Sequence, residues 1–463
     1  MEMNHWRAMR ILCLTLAMWS LVGSALAESG DYLHWRADKG RVDARIRSWS
    51  FERVLESVAR ATGWEVFVEP DTGAKVSVAF KDLPKGRALR RLLGDLNYAI
   101  VPRSGRADKL VIYATNIRSA TKRIEAFDAM VGGGEGAGLK KIGNELVVKL
   151  DGKQDMEALA RKLGAQIVGS LDDEGLYRLR FEDEEAANKA KETIDSMEDL
   201  DAEANYAVPR PPGPQSLPAG AALPFTLNPS PPGGDALIVG MIDTAIQPEA
   251  GNLEGFLLPG VSIGGDATLP SGEPTHGTSM ADTTLRGVSL SLNGETSGIR
   301  ILPVDVYGAS EFTSTFDVAW GVSEAIKQGA KVVNLSLGGS GDTEYLRTLI
   351  GNGVQEGVVF FASAGNEPVT TPVYPAAYEQ VIAVTAGDRN GQLAPYANRG
   401  GFVDIIAPGG NVVSFGDTSF LISGTSPASA FAAGMAVGMA ERNGGSIDAG
   451  VKQLRESFEF KGN

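Results

Sequence analysis

Cysteine is almost missing from these 463 residues, with Cys13 the only one. A lone thiol forms no internal disulfide. Histidine is scarce too, limited to His5, His34 and His276. With so few sulfur and imidazole ligands the chain cannot assemble a Cys/His zinc site. Basic charge is short: 43 Lys and Arg against 57 Asp and Glu leave a formal net charge of −14. A phosphate backbone needs a basic footprint, so nucleic acid is not the expected partner. Beyond the first 27 residues no apolar run reaches the ~20 residues of a membrane-spanning helix. What the chain does have, 43% hydrophobic and 22% charged residues, suffices to bury real cores. Its length suggests about three domains at roughly 150 residues each.

Residues 1–27 read as a secretory signal peptide. Arg7 and Arg10 give a basic start, residues 11–22 an apolar run, and Ala25-Leu26-Ala27 a small-residue cleavage site. Cys13 lies inside the apolar run rather than just after it, which speaks against a lipid anchor. Removing this segment takes Cys13 and His5 with it. The mature chain is therefore expected to be soluble and exported, periplasmic or secreted, with no thiol chemistry.

Charge and composition divide the rest. Residues 28–130 carry 19 bases and 14 acids, residues 131–224 carry 11 and 18, and residues 225–463 carry 11 and 24. The breaks fall at a glycine-rich stretch, 126–143, and at a proline-rich one, 209–234, which holds 9 of the 23 prolines. Both read as linkers, the first flexible and the second stiff.

Residues 41–116 alternate helix and strand patterns. Phe51, Val54, Leu55, Val58 and Ala59 share one helical face, Trp64, Val66 and Val68 alternate as on a strand, and Ala88, Leu89, Leu92 and Leu93 mark a second helix. A last strand covers 110–113. The stretches SWSFERVLESVARATGWEVFVEP and LPKGRALRRLLGDLNYAIV resemble the short N-terminal domain of secretins and TonB-dependent receptors. That resemblance implies docking to a partner in the bacterial envelope.

Residues 144–208 read β-α-β-β-α-β, the order of a ferredoxin-like fold. Strands are expected at 145–150, 165–169, around Tyr177, Leu179 and Phe181, and at 204–208. One helix carries Met156, Leu159, Ala160 and Leu163 and ends at Gly164. The other spans 183–197, with acids in its first turn. Placed directly before the last region, this unit resembles the propeptide or inhibitor domain of subtilases, and MEDLDAEANYAV looks like the end of one.

Residues 235–463 alternate short apolar runs with helices. The runs at 236–242, 331–335, 358–362, 381–385 and 404–407 suit a parallel sheet covered on both faces, an α/β fold with its sites at the carboxyl ends of the strands. Asp243 ends ALIVGMID, His276 opens HGTSMADTTL, and Ser426 lies in SGTSPASAFAAG. An acid, a base and an alcohol in that order constitute one arrangement of a catalytic triad. Together with VVNLSLGG, FASAGNE, YPAAYEQVIAVTA and DIIAPGG, these stretches resemble the subtilase family of serine peptidases.

The resemblance implies a doubly wound parallel catalytic domain preceded by two small α+β domains. It implies that His276 takes the proton of Ser426 while Asp243 orients the ring. The side-chain amide of Asn366 and the backbone N–H of Ser426 would form the oxyanion hole. Ser336, Leu337, Gly338, Ala364 and Gly365 would line the substrate cleft. The partners implied are a protein or peptide substrate and the chain's own propeptide-like domain, in an endopeptidase made as a zymogen. No cofactor is expected; the family leaves calcium open, and no D-x-D-x-D-G loop places it.

The chain departs from the family at four positions. Ala245 stands where Gly usually follows the acid, Asp282 where the histidine motif has Gly, and Ala430 where Pro usually follows the serine. Pro427 replaces a common Met and suits a first helical position. Ala245 would be strained if its turn required a positive φ. Ala245, Asp282 and Ala430 keep a second reading open: a pseudo-peptidase that binds peptides or serves as an envelope interaction protein.

Overall fold

The structure, a computed structural model, describes residues 32–460 apart from 37–39, 71, 73–74, 104–106, 125–140, 151–154, 198–199, 218–224, 232–235, 249–252, 293–295 and 389. The signal segment, with Cys13 and His5, and most of the glycine-rich stretch lie outside the described residues. Among the described residues no helix is long and apolar enough to cross a membrane. The chain divides into two units, Met1–Gly136 and Ala137–Asn463.

In the first unit, helix Phe51–Thr62 begins where the Ser50 side chain accepts from the Arg53 N–H and ends at Gly63, φ 69°. Its expected face is buried, as are Ala88, Leu89, Leu92 and Leu93 of helix Lys85–Leu93. Two sheets share this core. One is antiparallel, with strands Tyr32–Arg36, Arg41–Trp49 and Val76–Pro84 side by side. The other orders Asn97–Val101, Lys109–Tyr113, Glu65–Val68 and Lys122–Ile124. The unit thus overruns the expected 41–116 at both ends, because short edge strands such as YLHWR and KRI carry too few apolar residues to show a period.

The second unit starts with strands Lys141–Leu150, Gln166–Leu171, Leu176–Arg180 and Leu200–Pro209 and helices Met156–Leu163 and Glu184–Ile194. In space the strands run fourth, first, third, second, and the short strand Phe312–Ser314 adds beyond the fourth. Asp155 and Asp183 cap the helices. One sheet face packs Leu146, Val148, Leu179 and Ala202 against those helices. The other face sends Val147, Leu171, Leu176 and Val208 into the core of the larger region, against Phe316 and Leu346. Arg178, on the same strand as Leu176, is held in that contact by Glu145 and Asp317.

The larger region is a seven-stranded parallel sheet. Its order is Val261–Ser262, Arg300–Asp305, Ile238–Asp243, Val332–Leu335, Val359–Ser363, Val381–Gly387 and Ile405–Pro408. Val332–Leu335 and Val381–Gly387 are buried throughout, as apolar runs covered on both faces should be. Helices Thr315–Lys327 and Glu344–Gln355 cover one face, and His276–Ser291, Thr425–Arg442 and Ile447–Phe458 the other.

His276–Ser291 (the base helix, after the role expected of His276) and Thr425–Arg442 (the nucleophile helix, after that expected of Ser426) meet backbone to backbone. A Cβ at Gly434 would lie 2.0 Å from Thr284 O, and one at Gly287 2.5 Å from Phe431 O. Only glycine allows that approach. Thr284 Oγ1 also donates to Ala430 O at 3.2 Å.

The stretch 209–234 is not simply a linker. Pro209 ends a strand, Gln215–Leu217 pairs with Thr418–Ser423, and Asn228–Pro229 pairs with Thr296–Ser297. Proline density signals a missing backbone donor, which sheet edges tolerate.

Candidate active site

Asp243 is the last residue of its strand, so its carboxylate emerges at the carboxyl edge of the sheet. It is fully buried. Its Oδ1 accepts from the Thr244 N–H at 2.7 Å. Across from it, Thr275 caps the base helix: its hydroxyl accepts from Thr278 N at 3.1 Å and donates to Ala245 O at 2.6 Å. This places His276 at the first position of the helix, 4% exposed. Gly277 lets the two segments touch, since a Cβ there would lie 2.1 Å from Thr244 O. His276 Nδ1 stands 2.8 Å from Asp243 Oδ1 and 2.9 Å from Oδ2. An ionised carboxylate only accepts, so Nδ1 carries the proton and Nε2 is left as the base.

Ser426 lies in the first turn of the nucleophile helix, which begins at Thr425. Pro427 is thus the third helical residue rather than the first, still among the positions whose N–H has no partner within the helix. The helix start carries a positive partial charge. Ser426 Oγ donates to Ser336 O at 3.2 Å, not to the imidazole, and Ser336 Oγ donates to Ser426 O at 3.1 Å. Asn334 Nδ2 donates to Ser336 Oγ at 2.8 Å, and Asn334 Oδ1 accepts from Ser429 Oγ at 2.8 Å. This buried chain of polar groups fastens the nucleophile helix to the strand Val332–Leu335.

Asn366 reaches the same helix from the loop after strand Val359–Ser363. Its Oδ1 accepts from Thr425 N at 2.8 Å and from Thr425 Oγ1 at 3.1 Å, acting as a cap supplied from another segment. With the carbonyl oxygen so engaged, Nδ2 is the end left to donate. That nitrogen lies 3.0 Å from where a Cβ on Gly424 would sit, and Gly424 has φ 148°. The structure therefore gathers Asp243, His276, Ser426 and Asn366 at one edge of the sheet. Ser336, Leu337 and Gly338 follow the central strand, and Ala364 and Gly365 precede Asn366.

The departures fall unevenly. Ala245 is not among the described non-glycine residues with positive φ, so its turn carries no such strain. Ala430 continues the buried nucleophile helix. Asp282 is buried further along the base helix and accepts from Asn411 Nδ2 at 3.2 Å. Burial pushes its carboxyl up to about 6 against the opposing pull of Arg286 and Asn411. Among the described residues no group of three or more His, Cys, Asp or Glu is placed to hold a metal ion.

Sequence reasoning missed Thr425, Asn334, Ser429 and Thr275. The small-residue runs around His276 and Ser426 were the available signal, since they mark backbone brought close to other backbone.

Residues 234–456 match the model of the subtilase family, and residues 136–209 that of the fervidolysin N-terminal prodomain. Thermitase from Thermoactinomyces vulgaris is 31% identical over 240 residues, 50% of this chain and 84% of its own. Subtilisin Savinase from Lederbergia lenta is 32% identical over 219 residues, 45% of this chain and 78% of its own. A thermophilic serine proteinase from Bacillus sp. (strain AK1) is 32% identical over 235 residues, 48% of this chain; the match spans only 57% of that relative's length. Among solved structures, fervidolysin from Fervidobacterium pennivorans, a keratinolytic enzyme related to subtilisin, aligns with a TM-score of 0.55 at 19% identity. That match covers 69% of this chain and 57% of the other, and it speaks to the fold.

Proposed function

Because the chain belongs to the subtilase family of serine peptidases, we propose that it is an exported serine endopeptidase, made as a zymogen. The buried contact of His276 Nδ1 with both oxygens of Asp243 carries the reading. It leaves Nε2 free to take the Ser426 proton as the alkoxide attacks a peptide carbonyl, and to return it to the departing amine. Asp243 stabilises the imidazolium formed between those steps. Asn366 Nδ2 and the Ser426 N–H donate to the oxyanion; one such donor is worth roughly 2.7–4 kcal/mol in subtilisin, a member of the same family. Ser426 Oγ must first turn from Ser336 O toward the imidazole.

The contacts of residues 141–217 support the zymogen. The strand order fourth, first, third, second supports a ferredoxin-like unit. Glu203 accepts from the N–H groups of Glu344 at 2.8 Å and Tyr345 at 3.1 Å, capping a helix whose own Thr343 supplies no side-chain bond. Asn205 Oδ1 accepts from Phe316 N at 3.1 Å. Arg178 joins Glu145, Nε to Oε2 at 2.7 Å, to Asp317 at 3.1 Å.

The chain then passes along the carboxyl edge of the sheet. Ala207, Val208 and Pro209 pair with Ser314, Thr313 and Phe312. The Arg210 guanidinium donates to Gly308 O at 2.6 Å and Ser310 O at 2.8 Å, in the segment that follows strand Arg300–Asp305 beside Asp243. Gln215–Leu217 pairs with Thr418–Ser423, which leads into Ser426. Residues 211–214 thus bridge the acid side and the nucleophile side. A propeptide held this way blocks extended peptides, which bind by adding a strand.

The signal-like residues 1–27 support export, to the periplasm or beyond. The first unit, by its likeness to secretin and TonB-receptor N-terminal domains, docks an envelope protein. Reaction with a fluorophosphonate tests the core of the proposal, since only an activated serine is labelled. The expected result is labelling at Ser426 and hydrolysis of an unfolded protein, both abolished by Ser426→Ala. Equal turnover by the two chains would end the peptidase reading.

A further inference from the structure

A side chain outside the triad grips the loop that carries Asn366. Asn398 is 1% exposed. Its Nδ2 donates to Ala364 O at 2.8 Å, and its Oδ1 accepts from Glu367 N at 2.8 Å and Val369 N at 3.4 Å. Its own N–H donates to Gly365 O at 2.9 Å, and Thr385 Oγ1 donates to Asn398 O. Four of these bonds flank Asn366, two on the residues before it and two on residues after it. Gly365, φ 102°, keeps the space open: a Cβ there would lie 2.5 Å from Asn398 Nδ2.

An amide donor must be held where charge develops, and it has two ways to stray. Its carboxamide can rotate, and its backbone can shift. Thr425 stops the first by engaging Asn366 Oδ1. Asn398 stops the second by tying residues 364, 365, 367 and 369 to one buried group. We propose that Asn398 is a positioning residue for the oxyanion donor Asn366, acting on kcat without touching substrate or triad. This rests on the peptidase reading above.

Steady-state kinetics of the active enzyme on a small peptide anilide test it. Asn398→Ala is expected to lower kcat on the order of 10- to 100-fold, the scale of a displacement of about 1 Å, with KM within about twofold. In an Asn366→Ala background the same substitution should cost less than about threefold, because the donor it positions is gone. A full loss in both backgrounds, or a matched change in kcat and KM, would overturn the proposal. If Asn398→Ala does not fold, Thr385→Val loosens the same grip through the Asn398 carbonyl. It should lower kcat a few-fold at constant KM, and an unchanged kcat would overturn the proposal. Failure of the peptidase reading shows separately, as a parent chain without Ser426-dependent turnover.

Discussion

Asp282 shows how one buried carboxyl sets a pH dependence of stability. Its pKa is raised from the ordinary carboxylate value to about 6 by burial. Folding therefore favours the protonated form. The stability this contributes is full below the unfolded value near 4 and is lost as the pH rises through about 6. Asp282→Asn, made in a Ser426→Ala background to prevent self-digestion, should remove that loss. Between pH 4 and pH 8 the variant should gain roughly 3 kcal/mol on its parent in urea unfolding, about two pKa units' worth. Parallel pH profiles would refute it. Other residues were open to reading to different depths. Asp243, His276, Ser426 and Asn366 stand in distinctive short motifs. Thr425 and Asn398 are a threonine and an asparagine among many, and only the folded loop shows what each holds.

At the level of elements, glycines set how close the base and nucleophile helices lie. Gly434→Ala would push a methyl into Thr284 O, 2.0 Å away, where only backbone can move. We expect a loss of about 1–3 kcal/mol in denaturant midpoint analysis, the range for overpacking. Gly351→Ala, with nothing within 4 Å, serves as the control and should be neutral or better. A Gly434→Ala chain as stable as its parent would mean that the helices can separate freely. The central strands were legible because burial on both faces writes itself as unbroken apolar sequence. Arg300–Asp305 was not, since RILPVD has charged ends and a proline inside. The strand Gln215–Leu217 was hidden by surrounding prolines, which mark both loops and sheet edges.

For the whole second unit, the contact between residues 141–209 and the larger region joins an apolar sheet face to a few buried charged groups. Arg178 is 15% exposed and meets Glu145, 2% exposed, and Asp317, 18% exposed. Arg178→Ala strips Asp317 of its cation and leaves Glu145 with Arg180 alone, and breaking such a buried pair costs about 3–5 kcal/mol. Fluorophosphonate labelling of Ser426 in the uncut chain should then speed up by at least roughly tenfold, about 1.4 kcal/mol of that loss. An unaltered rate would show that the contact does not guard the cleft. The glycine seam between the two helices has a wider bearing. His276 and Ser426 each lie in the first turn of one of these helices, so the seam couples the two residues expected to exchange a proton and disfavours a gradual loosening of one against the other. On warming, we expect Ser426 labelling to persist until the two-helix block melts and then to vanish in one step, so that the working temperature ends in a cliff rather than a slope.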